Sequence, residues 1–497
     1  MSPADRTAAG PIQAREGPES RDMLPGPRPL RADRAEEPTR RMSLPRSFSR
    51  EAEPGFAPSE QLALDLPLEL PRIPIEPEWK AQQRLWGHSF HPMCSYLASF
   101  PAALAHAFIA RYSRPGDVVL DPFSGRGTTP LQAAAEGRIG AGNDLNPFAH
   151  LLTAAKVEPA TPAEARTRVT GLRLAWAADA RAWEHLAKAI QADPATGGPE
   201  PVPVEVALAF HPRTFAQILF VRASLDLDDR VDRFLAATMT GILHGKSRSY
   251  LSQLMPNTFS MAPRYVREFA ARTAFESEER DVFERLETKL TRLYRSPLPR
   301  TGGVALLGDA RDAGSRMRTA LRARGLPDRA RLVVTSPPYL RVVKYGYYNW
   351  LRTWFLCFDA AAIDASLDDA HHRAPYLVFL REVLHGLRPA MTDDGIVVLV
   401  IGDVATDRGH RLDGGIGLAE RVWESSAAPE GYRLAGIAVD DVHAHRKMTQ
   451  LWGEEAGRAT QTDRILVLGA TESGRRRAIA GAELPIDWTW PPRLRGL

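Results

Sequence analysis

Residues 117–145 read DVVLDPFSGRGTTPLQAAAEGRIGAGNDL, and this stretch decides the fold class. A short apolar run precedes a glycine-rich turn, an alanine-rich segment follows, and a second short run ends at Asp144. This order predicts a strand, a tight turn, a helix and a second strand, as in the nucleoside-binding α/β folds. Asp144 would then lie at the end of the second strand, where a carboxylate can accept hydrogen bonds from ribose hydroxyls.

The turn inside this unit is suited to holding a ligand against backbone amides. Gly125 and Gly127 let the chain turn tightly and bring N–H groups close to a ligand at a helix N-terminus. Thr128 and Thr129 can cap the helix that follows. A phosphate loop needs a lysine directly before the Ser or Thr that ends the turn, and Gly127 holds that position, so an NTPase is rejected. A dinucleotide site and a plain strand–helix turn stay open as alternatives.

A second stretch, LVVTSPPY at residues 332–339, predicts a buried strand that ends in a rigid turn. In an open α/β sheet, ligands bind at the carboxyl ends of the strands. Pro337 and Pro338 fix the backbone and lack amide donors, so the carbonyls there are left to accept hydrogen bonds. Ser336 adds a hydroxyl and Tyr339 an aromatic ring, which together can grip an exocyclic amino group on a flat ring. By itself this tetrapeptide also fits an ordinary loop.

Together, DPFSGRGTT and the distant TSPPY resemble the paired signature of the S-adenosylmethionine-dependent DNA amino-methyltransferases, which methylate cytosine N4 or adenine N6. The resemblance covers the motifs between residues 88 and 404. It implies an α/β, Rossmann-like class I methyltransferase sheet of seven strands with an antiparallel last hairpin, and S-adenosylmethionine as cofactor. Ser336, rather than Asp, is more similar to the cytosine-N4 group. Arg126 departs from the family, which often has Ser or another small residue there.

The resemblance also implies roles for individual residues. His91, with Phe100 and Pro101, looks like a segment that closes over the methionine end of the cofactor. The residues expected to bind the cofactor are Asp121, Pro122, Phe123, Gly125, Gly127, Thr128, Thr129, Asp144, Asp309, Phe100 and Pro101. The residues expected to be catalytic, by holding the target base, are Ser336, Pro337, Pro338 and Tyr339. From the residues alone, Pro101 is equally a good helix start, and Asp309 is equally a capping or salt-bridging acid.

The composition limits the class of protein. A chain of 497 residues, 44% of them apolar, can bury a large core and suggests more than one structural unit, and its net charge of +4 permits a polyanion partner. Cys94 and Cys357 are too few for a disulfide framework or a structural zinc site, and His443 and His445 lack companion ligands, so no metal is expected. Neither an apolar run of about 18 residues nor a secretory leader occurs in the sequence. We therefore expect a cytoplasmic protein without a membrane span.

The chain divides into several predicted parts. Residues 1–58 are rich in Arg, Pro, Ser and Glu and are expected to be a disordered tail. Residues 59–157 would form an N-terminal strap and the first part of a methyltransferase domain, residues 301–470 its second part, and residues 471–497 a C-terminal tail. Residues 158–300 read as amphipathic helices and far exceed the roughly a dozen residues that a crossover needs. They are therefore expected to be a largely helical insertion between strands 2 and 3 that carries target recognition, by analogy with DNA methyltransferases.

After the insertion, the alternation of apolar runs and turns predicts the rest of the sheet. The predicted strands are 304–311, 331–339, 395–403, 432–440 and 463–468, of which the last two form the antiparallel hairpin. The aromatic-rich segment 345–358 predicts a helix that packs mostly against the sheet, with Tyr345 or Tyr347 near the target base.

Within the insertion, residues 243–267 combine basic, small polar and aromatic side chains, a mixture suited to phosphate contacts and base stacking. The residues expected to contact DNA are Lys246, Arg248, Tyr250, Asn257 and Arg264. A helix followed by a proline-capped loop on the sheet edge is the alternative. Residues 443–461 are a second basic and polar stretch, which fits a DNA-facing loop and a plain surface loop equally.

The sequence thus predicts a site-specific DNA methyltransferase that flips its target base out of double-stranded DNA and methylates an exocyclic amine, cytosine N4 first. A cognate restriction endonuclease is a candidate partner. Adenine N6 of DNA, RNA and a protein glutamine are alternative targets, although the glutamine enzymes usually carry Asn where Ser336 stands. A DNA-binding protein that keeps the fold without catalysis is the alternative from a different class.

Overall fold

The structure is a computed structural model that describes residues 70–83, 85–97, 99–197, 202–255, 262–338, 344–367, 373–402, 417–441 and 462–491. The predicted tail at residues 1–58 and the second basic stretch at 443–461 lie outside the described residues. No helix among the described residues is long and apolar enough to cross a membrane.

Within the described residues, a seven-stranded sheet has the strand order β3-β2-β1-β4-β5-β7-β6. The strands are β1 (Val118–Asp121), β2 (Ile139–Asp144), β3 (Gly303–Leu307), β4 (Ala330–Thr335), β5 (Met391–Gly402), β6 (Arg433–Asp441) and β7 (Thr462–Gly469). Strands β1 to β5 pair in parallel, and β7 is antiparallel to both β5 and β6. The sheet confirms the predicted Rossmann-like methyltransferase class with an antiparallel last hairpin.

Helices pack around the sheet, and in the sequence they lie before, between and after its strands. In chain order they are α1 (Ala102–Tyr112), α2 (Thr128–Ala135), α3 (Pro147–Val157), α4 (Pro162–Ala192), α5 (Val204–Ala209), α6 (Pro212–Ser224), α7 (Arg230–Thr240), α8 (Pro263–Thr273), α9 (Val282–Leu293), α10 (Ala313–Ala323), α11 (Tyr345–Tyr348), α12 (Trp350–Phe355), α13 (Ala360–Ser366), α14 (Arg373–Leu387), α15 (Leu418–Val422) and α16 (Glu472–Gly481).

The central strands are buried on both faces, which is why they read as continuous apolar runs. On one face, side chains such as Val119 and Val334 pack with α1 and α16. On the other face, Leu120 and Val333 pack with α10 and α14. The two layers of helices leave the carboxyl ends of the parallel strands as the place where polar side chains gather.

The helices α4 to α9 follow β2 and α3 in the chain and precede β3, as the predicted fold class requires. They share a hydrophobic core that includes Trp176, Phe220 and Phe283 and continues to Phe148 and Leu152 of α3. Helix α4 begins with a capping box, because Thr161 Oγ1 accepts the Glu164 N–H at 3.3 Å and the Glu164 carboxylate accepts the Thr161 N–H at 2.8 Å. Helix caps and buried apolar side chains therefore explain why this insertion folds as packed helices.

The aromatic segment 345–358 differs from the prediction. It forms two short helices that meet at Asn349, and not one helix. Trp350 and Phe355 of α12 belong to the hydrophobic core of the insertion, and Arg352 Nε donates to the Thr240 carbonyl at 3.2 Å. The expected packing against the sheet was wrong, because α1, α10, α14 and α16 already cover the two sheet faces and the insertion offers the remaining apolar surface.

The first and last described segments close the fold. Residues 71–73 extend the sheet beyond β6, since Ile73 N donates to the Ile437 carbonyl at 3.1 Å and Ile437 N donates to the Pro71 carbonyl at 2.9 Å. After α16 the chain returns to the segment before α1. There the Trp86 and Trp488 rings lie 5.6 Å apart, and Trp86 Nε1 donates to the Trp488 carbonyl at 3.2 Å. The segment that holds His91 is therefore packed against the C-terminal part of the chain.

Candidate active site

The two sequence motifs meet at the carboxyl ends of two central strands of the sheet. Strands β1 and β4 are parallel neighbours, so the glycine turn (residues 122–127) and the base clamp (residues 336–338) leave the sheet side by side. Thr335 Oγ1 donates to Asp121 Oδ1 at 2.5 Å, and Thr129 Oγ1 donates to the Val334 carbonyl at 3.0 Å. The structure therefore brings together the residues predicted to hold the cofactor and those predicted to hold the base.

The glycine turn takes a shape that needs glycine. Gly125 and Gly127 have φ angles of +49° and +75°, which side-chain-bearing residues rarely adopt. A Cβ on Gly127 would lie 2.9 Å from Thr153 Oγ1 and 3.0 Å from Thr153 Cα. The turn thus combines an unusual backbone with a close approach to α3, and no side chain caps the backbone amides at the start of α2.

Asp144 joins the glycine turn to the end of β2. Its Oδ2 accepts the Gly125 N–H at 2.8 Å, and its Oδ1 accepts the Asn146 N–H at 2.9 Å. Burial raises the pKa of Asp144 to about 6 against the effect of these hydrogen bonds. A carboxylate has lone pairs for further donors, so the predicted acceptance from ribose hydroxyls is compatible with these contacts.

Asp121 lies deeper, at the end of β1. Its Oδ1 accepts the Phe123 N–H at 3.1 Å in addition to the Thr335 hydroxyl, and only 2% of the residue is exposed. Burial raises the pKa of Asp121 to about 7, while the hydrogen bonds from the Thr335 hydroxyl and the Phe123 N–H oppose the rise and the nearby carboxylate of Asp144 adds to it. The side chain therefore anchors the loop around it, and its predicted contact with the cofactor stays a prediction.

The base clamp contains an unused acceptor. Ser336 Oγ is buried and has no hydrogen-bond partner among the described residues. Pro337 beside it is buried and Pro338 is partly exposed. An unpaired buried hydroxyl costs free energy unless a ligand supplies a partner, so this atom marks a place where a donor is expected. Tyr339, the predicted stacking ring, lies outside the described residues.

Two tyrosines, Tyr96 and Tyr345, lie beside the glycine turn, and the sequence analysis named only the second of them. The rings of Tyr96 and Tyr345 stack with centroids 5.6 Å apart, and a Cβ on Gly125 would lie 3.5 Å from Tyr96 Cε1. Tyr96 Oη accepts the Asn146 side-chain amide at 3.1 Å, and burial holds the pKa of Tyr96 well above its ordinary value. Tyr345 was named from the sequence, but no local pattern distinguishes Tyr96 from a core aromatic residue.

The predicted adenine end of the cofactor site lies where β3 ends. Asp309 Oδ1 accepts the Arg311 N–H and its Oδ2 pairs with Arg311 Nη1, both at 2.8 Å. The Arg311 guanidinium lies 4.7 Å from the centre of the Phe379 ring, which in turn packs 5.8 Å from Phe123. Asp309 therefore caps a short helix and forms a salt bridge, and its predicted contact with the adenine amine stays a prediction.

The Arg126 departure from the family has a local explanation. Its side-chain Nε donates to Thr128 Oγ1 at 3.3 Å, and its carbonyl accepts from Lys156 Nζ at 2.5 Å. Lys156 is fully buried in α3, and burial holds its pKa well below the ordinary value. The turn is thus held from below by α3 while the Arg126 side chain folds over the start of α2.

The segment predicted to close over the cofactor is well ordered by side-chain contacts. His91 is buried and one ring nitrogen lies 2.8 Å from Gln132 Oε1, while burial holds the pKa of His91 well below its ordinary value. Phe100 is 9% exposed within the core beneath α1, and Pro101 directly precedes that helix. Pro101 therefore directly precedes a helix, as one interpretation predicted, and the contact of this segment with the cofactor stays a prediction.

The predicted DNA contacts divide into three groups. Lys246 and Arg248 are exposed on a turn after α7, and Tyr250 is half-buried on the same turn. Arg264 is exposed at the start of α8 and pairs with Glu268 at 2.8 Å. Asn257 lies outside the described residues. The part of the chain that the structure describes contains no group of three or more His, Cys, Asp or Glu side chains that could hold a metal ion.

Residues 60–155 match a family model described as DNA methylase, the family of N6 and N4 amino-methyltransferases. This matched stretch, the DNA methylase segment, is similar to that family. The predicted resemblance to the DNA amino-methyltransferases is thereby confirmed. The DNA methylase segment includes the glycine turn and Asp144, whereas the base clamp lies beyond it.

Two methyltransferases resemble parts of the chain. The type II methyltransferase M.MjaII of Methanocaldococcus jannaschii is 35% identical over 71 residues, which are 14% of this chain and 13% of that protein. The type II methyltransferase M.MthZI of Methanothermobacter thermautotrophicus is 49% identical over 49 residues, 10% of this chain and 14% of that protein. The matches therefore span about one seventh of the length of these relatives.

Among solved structures, the rRNA methyltransferase aviRa from Streptomyces viridochromogenes aligns with 78% of this chain and 92% of its own length, at 11% identity and a TM-score of 0.30. TrmN from Thermus thermophilus aligns with 76% of this chain and 52% of its own length, at 12% identity and a TM-score of 0.26. These scores are too low to carry an argument about function.

Proposed function

We propose that this protein is an S-adenosylmethionine-dependent DNA methyltransferase that modifies an exocyclic amino group of a flipped base, with cytosine N4 as the preferred target. One observation carries the proposal. The glycine turn and the base clamp leave neighbouring parallel strands and are joined by the Asp121–Thr335 hydrogen bond, while Ser336 Oγ beside them is buried without a partner. The DNA methylase segment supports the same chemistry.

The residues at the carboxyl ends of the parallel strands fit a nucleoside-containing cofactor. The glycine turn leaves backbone N–H groups at the start of α2, Asp144 can accept from ribose hydroxyls, and Asp309 can accept from the adenine amine. When bound, S-adenosylmethionine supplies an electrophilic methyl group on a sulfonium. The contribution of the chain is to hold the cofactor in a fixed orientation beside the base clamp.

The base clamp supplies the activation. An exocyclic amine has its lone pair drawn into the aromatic ring, so it is a poor nucleophile. Ser336 Oγ and the Pro337 carbonyl accept hydrogen bonds from the two N–H groups of the amine. This favours a pyramidal nitrogen with its lone pair directed away from the ring. Tyr339 stacks on the base and offsets part of the cost of flipping, which is about a few kcal/mol. Most of the rate comes from this positioning, without a covalent intermediate.

The proposal is tested by transfer of a labelled methyl group from S-adenosylmethionine to double-stranded DNA, RNA and protein in parallel, followed by nucleoside analysis. We expect N4-methylcytosine in DNA. N6-methyladenine would replace the preferred base and keep the reaction class, and label only in RNA or protein would overturn the proposal. Cofactor binding without transfer to any substrate would favour a DNA-binding protein that keeps the fold.

A matched pair of serine variants tests the role of the base clamp. Ser336→Ala should abolish transfer and leave the affinity for S-adenosylhomocysteine nearly unchanged, because Ser336 holds the base and not the cofactor. Ser315→Ala, on an exposed face of α10, is the control and should transfer at the wild-type rate. An active Ser336→Ala enzyme would contradict the assigned role.

The proposed partners are double-stranded DNA and a cognate restriction endonuclease. The two relatives that resemble parts of this chain are both named type II methyltransferases, and this supports the proposal. The endonuclease is tested by cleavage of DNA before and after methylation by this protein. Methylated DNA should resist a nuclease encoded beside the methyltransferase, and equal cleavage of both samples would contradict the partnership.

A further inference from the structure

The base clamp is joined to the glycine turn through a contact between two motif residues, Thr335 and Asp121, which the motifs themselves do not reveal. Thr335 is the last residue of β4 and is fully buried, and its hydroxyl donates to Asp121, which is 98% buried. The two residues are 214 positions apart in the chain. A buried hydroxyl beside Val333 and Val334 is a costly choice for packing alone, because valine would fill nearly the same volume without a polar atom.

From this contact we propose that Thr335 is a positioning residue, whose hydroxyl fixes the base clamp relative to the glycine turn. The inference rests on the proposed function and adds to it a residue that neither touches the base nor binds the cofactor. Its position directly before Ser336 makes the link short: one peptide separates the anchored side chain from the hydroxyl expected to accept from the base.

The surrounding contacts make the link stiff. Asp121 Oδ1 is held by the Phe123 N–H at 3.1 Å on the side of the glycine turn. Thr129, at the start of α2, holds the Val334 carbonyl at 3.0 Å, so a second hydrogen bond joins the same two regions one residue earlier. With both anchors in place, the backbone can leave β4 only in a narrow range of directions, which sets where Ser336 Oγ lies.

The reaction is sensitive to this direction because attack on a methyl group must be in line. A small rotation of the base clamp would turn the lone pair of the amine away from the methyl group and leave both binding sites intact. Loss of the Thr335 hydroxyl should therefore lower the rate of transfer and not the affinity for cofactor. This separates a positioning role from a binding role.

The experiment compares Thr335→Val with Thr335→Ser. Valine keeps the shape and removes the hydroxyl, whereas serine keeps the hydroxyl. We expect Thr335→Val to lower the single-turnover rate of methyl transfer at pH 8, where Asp121 is mostly ionised, by about 10- to 100-fold, the range that loss of one hydrogen bond to a charged group gives. Its affinity for S-adenosylhomocysteine should stay within about 3-fold of wild type, and Thr335→Ser should recover most of the rate.

The pH profile of the rate supplies a readout that a merely structural role would not move. Asp121 is faced by the hydroxyls of Thr335 and Thr129, by the Phe123 N–H and by the carboxylate of Asp144. Because the Thr335 hydrogen bond lowers the pKa of Asp121, its loss should raise this pKa. A pH dependence of the rate that follows Asp121 should therefore move to higher pH in Thr335→Val and stay in place in Thr335→Ser.

The outcomes are distinct. Equal rates in wild type and Thr335→Val, or an equally impaired Thr335→Ser, would overturn the inference while the proposed function stands. If Thr335→Val does not fold, Thr335→Ser and the wild type still decide through their rates and pH profiles, since an altered inflection in Thr335→Ser contradicts the hydroxyl link. If the wild-type protein transfers no methyl group to DNA, the proposed function fails and the inference fails with it.

Discussion

Asp121→Asn should remove a specific pH dependence of stability. Burial raises the pKa of Asp121 from 3.8 to about 7, so the folded protein holds this proton more tightly than the unfolded chain does. The free energy of unfolding therefore falls as pH rises from about 4 to about 7, by about 4 kcal/mol in total at 1.36 kcal/mol per pH unit. Asparagine cannot ionise, and its oxygen can still accept from Thr335 and the Phe123 N–H.

The comparison is made between pH 6 and pH 8, on either side of the pKa of Asp121, and the remaining titration of Asp144, with a pKa of about 6, occurs in both proteins. In this window the wild-type protein should lose about 1 kcal/mol that the Asn variant keeps. The assay is urea unfolding followed by tryptophan fluorescence at pH 6, 7 and 8. Asp179→Asn removes an exposed carboxylate from α4 and serves as the control. Parallel pH profiles for wild type and Asp121→Asn would refute the assignment of a raised pKa to this buried side chain.

Three further predictions concern the turn, the C-terminus and the DNA-facing surface. Gly127→Ala should weaken S-adenosylhomocysteine binding by at least about 10-fold in calorimetry, because it adds a left-handed backbone cost of about 1–2 kcal/mol to a 3.0 Å contact with α3, whereas Gly116→Ala, with φ +86° and open space, should show no loss of binding. Trp488→Ala should lower the thermal midpoint of unfolding, with a loss of about 2 kcal/mol for a half-buried ring, and an unchanged midpoint would contradict its packing role. Replacing Lys246 and Arg248 together by Ala should lower the slope of log affinity against log salt by about 2 in DNA-binding titrations, and an unchanged slope would show that neither contacts phosphate.

The sequence was sufficient for the parts of the site that depend on neighbouring residues. The positions of Gly125 and Gly127 in a turn and of Asp144 at a strand end could be predicted, because a strand, a glycine turn and a helix are specified within about 30 residues by the apolar period and by the backbone angles that glycine allows. The insertion was also readable, since its helices carry caps and apolar stripes of their own.

The sequence failed where the partner of a side chain lies far away in the chain. The segment 345–358 reads as one aromatic helix for the sheet, but it breaks at Asn349 and packs against the insertion. Tyr96 has no local mark of a site residue, and only its stacking on Tyr345 places it beside the glycine turn.

What the sequence by itself determined is therefore the order of strands and helices and the chemistry offered at each turn, because both arise from interactions between residues close in the chain. Only the tertiary structure decided that Thr335 meets Asp121, that Ser336 Oγ is left buried without a partner among the described residues, and that Trp488 returns to Trp86. These contacts depend on which strands become neighbours and which apolar surfaces remain uncovered, and no local pattern encodes that outcome.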